Sequence, residues 1–159
     1  ASREDFPELS VQMGEVYLKD IIDKLSDYNR FKLDATKTEF VISEYDNCLL
    51  SCDEARLMEV LQNLMENALK YGDGRRIELS VTREEDCCLI CVQNTGSTLK
   101  KDELGKIFDS FYRGSNVADK NGSGLGLYIC RKLMHNMQGD IFAKQKDNIF
   151  AVTVVVQMV

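Results

Sequence analysis

The stretch "CVQNTGSTLKKDELGKIF", residues 91–108, contains the turn on which the prediction of the fold depends. It begins as the end of an apolar strand, passes through a turn at Gly96 and continues into a predicted short helix, residues 102–109. A loop at the edge of a sheet is a common place for a bound ligand. Asn94, the side chain best placed to hold one, carries no charge.

The elements on either side of this turn follow a regular order. Strands come in adjacent pairs between helices, rather than alternating singly with them. This order predicts an α+β fold, a two-layer α/β sandwich with a mixed, mostly antiparallel sheet, and not a doubly wound parallel sheet. The predicted elements are helix 15–33, strands 38–45 and 48–52, helix 54–71, strands 76–84 and 87–94, helix 102–109, a helix from Gly124–Leu125 to Gln138–Gly139, and strands 140–146 and 148–157.

The chain of 159 residues has the length of one compact domain. We expect that domain to span residues 15–159 and to follow a linker remnant, residues 1–14, which holds the only proline. Asp46–Asn47 is a turn signal, and it predicts that the short strands on either side of it are neighbours.

Composition excludes several classes of function. The formal net charge of −6 argues against a nucleic-acid partner and against attraction to anionic lipid. The sequence has no apolar run of transmembrane length, so any membrane anchor of the parent protein is expected outside this chain. The six cysteines lack the spacing of a disulfide scaffold and are predicted to be reduced core thiols of a cytoplasmic domain.

Helix 54–71, for which Asp53 is the predicted N-cap, places three polar side chains on one face. Asn63, Asn67 and Lys70 stand at i, i+4 and i+7. Two amides and an ammonium can hold a hydrated magnesium ion and its accompanying phosphates, because Mg²⁺ prefers oxygen ligands and retains several waters. A solvated polar face has the same spacing, so the pattern alone leaves both interpretations open.

A second candidate site is the glycine-rich stretch "NGSGLGLYICRKL", residues 121–133. Gly122, Gly124 and Gly126 allow backbone N–H groups to approach a ligand closely, and the start of the following helix favours an anion. The stretch matches neither the P-loop nor the dinucleotide-binding pattern. A flexible loop remains the alternative.

The stretch "IFDSFYR", residues 107–113, places Phe108 and Phe111 one turn apart, which is typical of core packing. Arg113 follows at the mouth of the glycine-rich loop, from which a guanidinium can reach phosphate oxygens.

Taken together, four motifs resemble the ATP-binding catalytic domain of sensor histidine kinases (HATPase_c). That domain belongs to the Bergerat-fold, or GHKL, group with gyrase-type, Hsp90-type and MutL-type ATPases. "NLMENALKY" is similar to the N box, "NTGSTL" to the G1 box, "IFDSFYR" to the F box and "GSGLGL" to the G2 box. The resemblance runs from Val16 to Met158, and it implies a sandwich with helices on one face of the sheet.

By position, the resemblance implies that Asn67 is the magnesium ligand. Asn63, Lys70 and Arg113 take the catalytic positions, where they would support the metal and the phosphates of ATP. The implied nucleotide-binding residues, in addition to these, are Tyr71, Asn94, Gly96, Leu99, Phe108, Gly122, Ser123, Gly124, Leu125, Gly126 and Leu127.

The adenine is implied to lie beside Tyr71, with Asn94 and Gly96 at the base of its pocket. In this position the family's pattern, roughly D-x-G-x-G, has an aspartate that accepts a hydrogen bond from the adenine amino group. Asn94 retains an acceptor oxygen, and its NH₂ group is able to donate to ring N1. The loss of charge is expected to weaken adenine binding by roughly 1 kcal/mol. Thr98 replaces the second glycine of the pattern.

The resemblance also implies which reaction the domain serves. Hydrolytic members of the group have a glutamate general base where this chain has Asn63, whereas the kinase branch passes the γ-phosphate of ATP to a histidine. The only histidine of this chain, His135, has no acid or nucleophile partner and is predicted to be a surface or packing residue. The acceptor histidine is therefore expected in a dimerisation domain outside the chain. The implied parent is a homodimer that is anchored in the bacterial membrane and acts on a response regulator.

Two alternatives remain open at this point. The altered G1 box is also expected of a degenerate GHKL module that acts through protein contacts. An anti-sigma-factor-type serine kinase of the same group needs no upstream histidine, although the "FYR" motif and the long loop after it favour the histidine-kinase branch.

Overall fold

The computed structural model describes residues 9–97, 99–109 and 126–159. Within these ranges the chain forms seven strands and four helices. They are β1 (Gly14–Tyr17), α1 (Leu18–Thr36), β2 (Glu39–Ile42), β3 (Leu49–Cys52), α2 (Glu54–Tyr71), β4 (Arg76–Glu84), β5 (Cys87–Asn94), α3 (Lys101–Leu104), α4 (Leu127–Asn136), β6 (Asp140–Lys146) and β7 (Ile149–Met158).

All seven strands form one mixed sheet in which β7 is central. β5 pairs antiparallel with β7 along one edge, from Cys87 opposite Gln157 to Asn94 opposite Phe150. β6 and then β3 occupy the other edge of β7, and β1 pairs with β3. Beyond β5 the order continues through β4 to β2, and β2–β4 is a parallel pair.

The helices cover one face of this sheet. Along β5 and β7 the side chains alternate between buried and half-buried, which is the pattern of a sheet with one covered face. The core under α2 is built from its own apolar stripe and from Ile90, Val92, Val152 and Val154 of the central strands. The predicted two-layer α/β sandwich with a mixed, mostly antiparallel sheet is confirmed.

The boundaries of α2, β4, β5 and β6 agree with the sequence prediction to the residue. For α2, the structure contains every feature that the sequence predicts. At the N-cap, the carboxylate of Asp53 accepts a hydrogen bond from Arg56 N at 3.1 Å. The leucine stripe follows at helical spacing, and Gly72 ends the helix in an extended conformation.

The start of the domain differs from the prediction. Helix α1 begins at Leu18 and not at residue 15, because Gly14–Tyr17 pairs antiparallel with β3. The N–H of Leu18 donates to the carbonyl of Cys48 at 2.9 Å, which continues the strand contact into the first residue of the helix. The apolar spacing that predicts this helix is correct but begins only at Leu18.

The strands around Asp46–Asn47 are not neighbours, which corrects the pairing expected from the turn signal. β2 pairs in parallel with β4, whereas β3 pairs with β1 and β7 on the other side of the sheet. Residues 43–48 are therefore a crossing connection. Arg83 holds it in place by donating to the carbonyls of Asp46 and Asn47 at 3.4 and 3.0 Å.

Two helices are also shorter than predicted. The helix predicted over residues 102–109 is helical only over Lys101–Leu104, after which Gly105 begins a series of turns. Lys106 N and Asp109 N donate to carbonyls three residues earlier, at 2.9 Å each, as in 3₁₀ turns. α4 begins at Leu127, with Gly126 as its N-cap, and ends at Asn136.

Residues 9–14, which the prediction assigns to the linker, contact the domain. Leu9 is buried, and its carbonyl accepts a hydrogen bond from Asn136 Nδ2 at 2.9 Å. Gln12 N donates to Asp53 Oδ2 at 2.7 Å. The boundary at residue 14 stays a prediction. None of the helices in the described ranges combines the length and the apolar character needed to cross a membrane.

The packing predicts a large difference between two glycines. A Cβ on Gly139 would lie 2.1 Å from the carbonyl oxygen of Val155 in the central strand, whereas a Cβ on Gly105 meets nothing within 4 Å. Gly139→Ala should lower the free energy of unfolding by about 1–3 kcal/mol, since backbone at a packed site cannot move cheaply. Gly105→Ala should change it by less than about 0.5 kcal/mol. Urea unfolding of both variants tests this, and equal effects would contradict the packing described here.

Candidate functional site

The candidate site begins on α2, where two amide side chains turn into the protein and not toward solvent. Asn63 and Asn67 are 2% and 7% exposed, one helical turn apart. A solvated polar face, the alternative from the sequence, is therefore excluded for these two residues. Lys70, in the last turn, is half-buried. Side chains at i and i+4 lie along one line of a helix, so the two buried amides share one face of α2.

The end of α2 approaches the central strands closely. The ring of Tyr71 is buried and packs edge-on against Phe150 of β7, with 5.8 Å between ring centroids. Gly72 lies directly against the side chain of Asn94, since a Cβ on Gly72 would stand 2.5 Å from Asn94 Nδ2. The last turn of α2 therefore forms one wall around the end of β5.

The turn after α2 is hydrogen bonded to the turn after β5. Asp73 N donates to the carbonyl of Thr95 at 3.1 Å, and Thr95 Oγ1 donates to Asp73 Oδ1 at 2.9 Å. Arg75 N donates to the same carboxylate oxygen at 3.0 Å, and this hydrogen bond lowers the pKa of Asp73. Gly96, at φ +64°, makes the approach possible: a Cβ there would stand 2.5 Å from the Asp73 side chain.

Asn94 is the buried end of this arrangement, at 3% exposure. Its Nδ2 donates to the carbonyl of Thr95 at 3.1 Å. Its Oδ1 is the one buried side-chain nitrogen or oxygen in the described part of the chain that has no hydrogen-bond partner. An unpaired buried acceptor costs about 1–3 kcal/mol, so a donor supplied by a ligand would relieve a real penalty.

The rest of the G1 turn is tied to the β6–β7 hairpin. Ser97 N donates to the carbonyl of Asn148 at 2.8 Å, and Ser97 Oγ lies 2.6 Å from Gln145 Oε1. Gln145 Nε2 in turn donates to the carbonyl of Leu99 at 2.9 Å. Leu99 is buried. These contacts fix the loop that leaves the base of the candidate pocket.

The F-box and G2-box residues within the described ranges meet at α4. Phe108 is half-buried, and the guanidinium of Arg131 lies 3.9 Å from the centre of its ring, a cation–π contact. Arg131 also donates to the carbonyl of Ile141 at 3.4 Å. Gly126 caps α4 and Leu127 is buried. Phe108 thus packs against the helix that follows the glycine-rich loop.

Several predicted site residues lie outside the described residues. They are Arg113, Gly122, Ser123, Gly124 and Leu125, together with Thr98 of the G1 turn. Their predicted roles stay predictions.

The chain's histidine and thiols do not assemble into a nucleophilic site within the described residues. His135 is exposed, but the prediction that it has no acid partner is wrong, because its Nε2 lies 3.0 Å from Asp140 Oδ1 on the surface. All six cysteines are free thiols. Burial raises the pKa of Cys52 to about 11, and that of Cys88 and of Cys130 to about 12. A thiol with such a pKa is not a thiolate at neutral pH and is a poor nucleophile.

Sequence reasoning missed the residues that hold the site together. Asp73 and Thr95 are polar residues next to glycines, a pattern that predicts turns but not which turns touch. Arg131 lies in a helix that is predicted from its apolar pattern, and this pattern does not indicate that Arg131 contacts Phe108. A third contact, the reciprocal amide pair of Asn29 on α1 with Gln62 on α2 at 2.7 and 3.0 Å, also joins elements far apart in sequence.

Comparison with known proteins agrees with this geometry. The model of the HATPase_c family, "Histidine kinase-, DNA gyrase B-, and HSP90-like ATPase", matches residues 52–158, which include α2, the G1 turn and the α4 region. The chain therefore belongs to the histidine kinase-, DNA gyrase B- and HSP90-like ATPases, as the ATP-binding catalytic domain of a sensor histidine kinase.

Curated relatives are sensor proteins of bacteria. The chain is 39% identical to the sensor histidine kinase RcsC of Escherichia coli over 94 residues, 58% of this chain and 10% of RcsC. It is 34% identical to the sensor protein VanS of Enterococcus faecium over 120 residues, 74% of this chain and 31% of VanS. The chain thus spans a tenth to a third of the length of these relatives.

Solved structures share the fold. The catalytic domain of the histidine kinase ThkA superposes with a TM-score of 0.81 at 22% identity, covering 93% of this chain and 97% of that domain. The mycobacterial sensor histidine kinase MprB superposes with a TM-score of 0.76 at 18% identity, covering 91% and 98%.

Two glycines with positive φ allow the contact between the turns to be tested. Gly96 and Gly74 have φ of +64° and +76°, but only at Gly96 would a Cβ meet another side chain, that of Asp73. Gly74→Ala should cost about 1–2 kcal/mol of unfolding free energy from the backbone conformation alone. Gly96→Ala should cost at least about 1 kcal/mol more, because the clash adds to the same strain. Chemical denaturation measures both, and equal losses would show that Asp73 does not pack on Gly96.

Proposed function

We propose that this domain binds magnesium–ATP, with Asn94 accepting a hydrogen bond from the adenine amino group, and presents the γ-phosphate to a histidine outside the chain. The observation that carries the proposal is the unpaired, buried Oδ1 of Asn94. The adenine amino group supplies the donor that this oxygen lacks. Nδ2 is already bonded to the carbonyl of Thr95, so the oxygen is the atom that faces the base.

The phosphate end of the site would lie along α2. Asn67 would hold the magnesium ion, and Asn63 would support the metal and the phosphates. Amide oxygens suit this ion because it keeps most of its waters and takes further ligands from the phosphates. Lys70 and Arg113 would neutralise phosphate charge, and the N-terminus of α4 behind Gly126 would favour the same anion. Bound ATP supplies the phosphoryl group.

Transfer needs positioning more than covalent chemistry from the protein. Phosphoryl transfer depends on holding donor and acceptor in line and on stabilising charge on the transferred group. Asn63 stands where hydrolytic relatives have a glutamate base, so this position supplies no carboxylate to activate a water. The acceptor histidine would be carried by a dimerisation domain of the parent protein.

The remaining partners follow from the relatives. ThkA has been solved in complex with the response regulator protein TrrA, and that chain aligns with 92% of this one at a TM-score of 0.77. We infer that the parent of this domain is a homodimer that passes its phosphoryl group to a response regulator. A cytoplasmic position of the domain in a membrane-anchored parent is the arrangement implied by the resemblance.

Removal of the Asn94 amide tests the adenine site. Asn94→Ala should weaken ATP binding by about 2–10-fold, which corresponds to the loss of a neutral hydrogen bond of about 0.5–1.5 kcal/mol, and should reduce discrimination against GTP. Asn94→Asp should bind ATP at least as tightly as the natural protein, because a charged acceptor forms the stronger bond. Titration of a fluorescent ATP analogue with Mg²⁺, with competition by ATP and GTP, measures all three proteins.

Two results would contradict the proposal. The first is no saturable binding to the natural domain at millimolar nucleotide, which would favour a degenerate module acting through protein contacts. The second is an Asn94→Ala variant with unchanged affinity, which would place the base elsewhere. Asn67→Ala serves as the matched variant for the metal, since it should remove the Mg²⁺ dependence of binding and leave discrimination between ATP and GTP intact.

The proposed location of the acceptor histidine, outside this chain, gives a further prediction. The isolated domain incubated with radiolabelled magnesium–ATP should incorporate no acid-labile phosphate, whereas the longer parent protein should do so. His135→Gln in the parent should leave that incorporation unchanged, because His135 lies on the surface beside Asp140. Labelling of the isolated domain that disappears in the His135→Gln variant would overturn this assignment.

A further inference from the structure

We propose that Asp73 is a positioning residue for adenine recognition: it holds the Thr95 carbonyl that orients the Asn94 amide, and so sets Oδ1 as the atom that faces the base. This inference rests on the proposed function. It concerns a residue that lies outside the four motifs and is not among the nucleotide-binding residues that the resemblance implies.

The backbone carbonyl of Thr95 is shared by two donors. The oxygen of Thr95 accepts two hydrogen bonds, one from Asp73 N at 3.1 Å and one from Asn94 Nδ2 at 3.1 Å. A carbonyl oxygen has two lone pairs, so these donors fill its capacity. Rotation of the Asn94 amide by 180° would place Oδ1 against this oxygen and replace an attraction with a repulsion. The carbonyl therefore decides which end of the amide is the free acceptor.

Asp73 fixes the position of the Thr95 carbonyl. Asp73 holds Thr95 twice, through its own N–H to the carbonyl and through its carboxylate, which accepts from Thr95 Oγ1 at 2.9 Å. The carboxylate is itself oriented by Arg75 N at 3.0 Å. The absence of a Cβ on Gly96 leaves room for this side chain. Because the Arg75 N–H lowers the pKa of Asp73, the carboxylate is charged at neutral pH.

The orientation of the Asn94 amide determines which purine it can pair with. Gly72 lies against Nδ2 on one side, and Thr95 holds it on the other, so the amide has one orientation in the described structure. A lone acceptor at this place pairs with the 6-amino group of adenine and is repelled by the 6-oxygen of guanine. If the Asp73 carboxylate is lost, the Thr95 side chain is released and the carbonyl is held only through the Asp73 N–H, so its direction is less fixed and the amide is freer to turn.

The test compares nucleotides with different groups at position 6 of the purine; GTP also carries an amino group at position 2. The dissociation constants of ATP, of purine riboside triphosphate, which lacks the amino group, and of GTP are measured with Mg²⁺ for the natural domain, Asp73→Ala, Asp73→Asn and Thr95→Val. The natural domain should bind ATP about 2–10-fold more tightly than the purine analogue, the worth of one neutral hydrogen bond. In Asp73→Ala this ratio should fall toward 1, while the affinity for the purine analogue changes less than twofold.

Two variants separate positioning from general support of the fold. Asp73→Asn keeps an oxygen that can accept from Thr95 Oγ1 and Arg75 N, so it should restore the ratio. Thr95→Val keeps the side-chain volume and removes the same hydrogen bond, so it should lower the ratio even if Asp73→Ala does not fold. An unchanged ratio in Asp73→Ala or in folded Thr95→Val, or an equal loss of all three nucleotides, overturns the inference.

The natural domain tests the proposed function, and the variants test the role of Asp73. If the proposed function is wrong, the natural domain itself binds no nucleotide, or binds ATP and the purine analogue equally. If only the role of Asp73 is wrong, the natural domain discriminates and the variants discriminate equally well.

Discussion

The hydrogen bond from Asp73 N to the carbonyl of Thr95 joins the two turns on which the site depends. One turn ends the helix that carries Asn63 and Asn67, and the other ends the strand that carries Asn94. The core already packs α2 on β5 through Ile90 and Val92, and this bond adds a direct link between the two ends that carry the amides. With it, the amides of α2 and the amide of β5 belong to one hydrogen-bonded frame, which the proposed site requires in order to hold a ligand that spans both.

The same contact explains why the glycines occupy their positions. Gly72 removes a Cβ that would meet Asn94 Nδ2 at 2.5 Å, and Gly96 removes one that would meet Asp73 at the same distance. Each glycine therefore gives space to a polar side chain of the opposite turn. In the sequence both are ordinary turn signals, and only the approach of the two turns shows that they serve close packing.

Prediction from the sequence succeeds where an element is determined by neighbouring residues and fails where it depends on residues far apart in the chain. α2 is predicted to the residue because its cap, its apolar stripe and its stop at Gly72 are local. β1 is missed because four residues with one inward apolar side chain, Val16, become a strand only when β3 supplies the partner. The parallel pairing of β2 with β4 and the Asp73–Thr95 contact are likewise set by residues far apart in the chain. Motif resemblance predicts the candidate site residues, but it does not predict the contacts that orient them.

The exchange of aspartate for asparagine at position 94 has a cost and a benefit that act in different states. In the nucleotide-bound state a neutral acceptor forms a weaker bond to the adenine amino group than a carboxylate does. In the free state the side chain is 3% exposed and its oxygen is unpaired. A carboxylate buried there without a donor would pay a far larger desolvation penalty than an amide does, and Nδ2 would no longer donate to Thr95. Asn94 thus lowers the cost of the free state and gains an internal hydrogen bond. Because a ligand relieves a smaller penalty at an amide than at a carboxylate, this gain in stability is obtained at the expense of nucleotide affinity. The orientation of the amide becomes the variable that the rest of the turn must control, because an asparagine, unlike an aspartate, presents two chemically different ends.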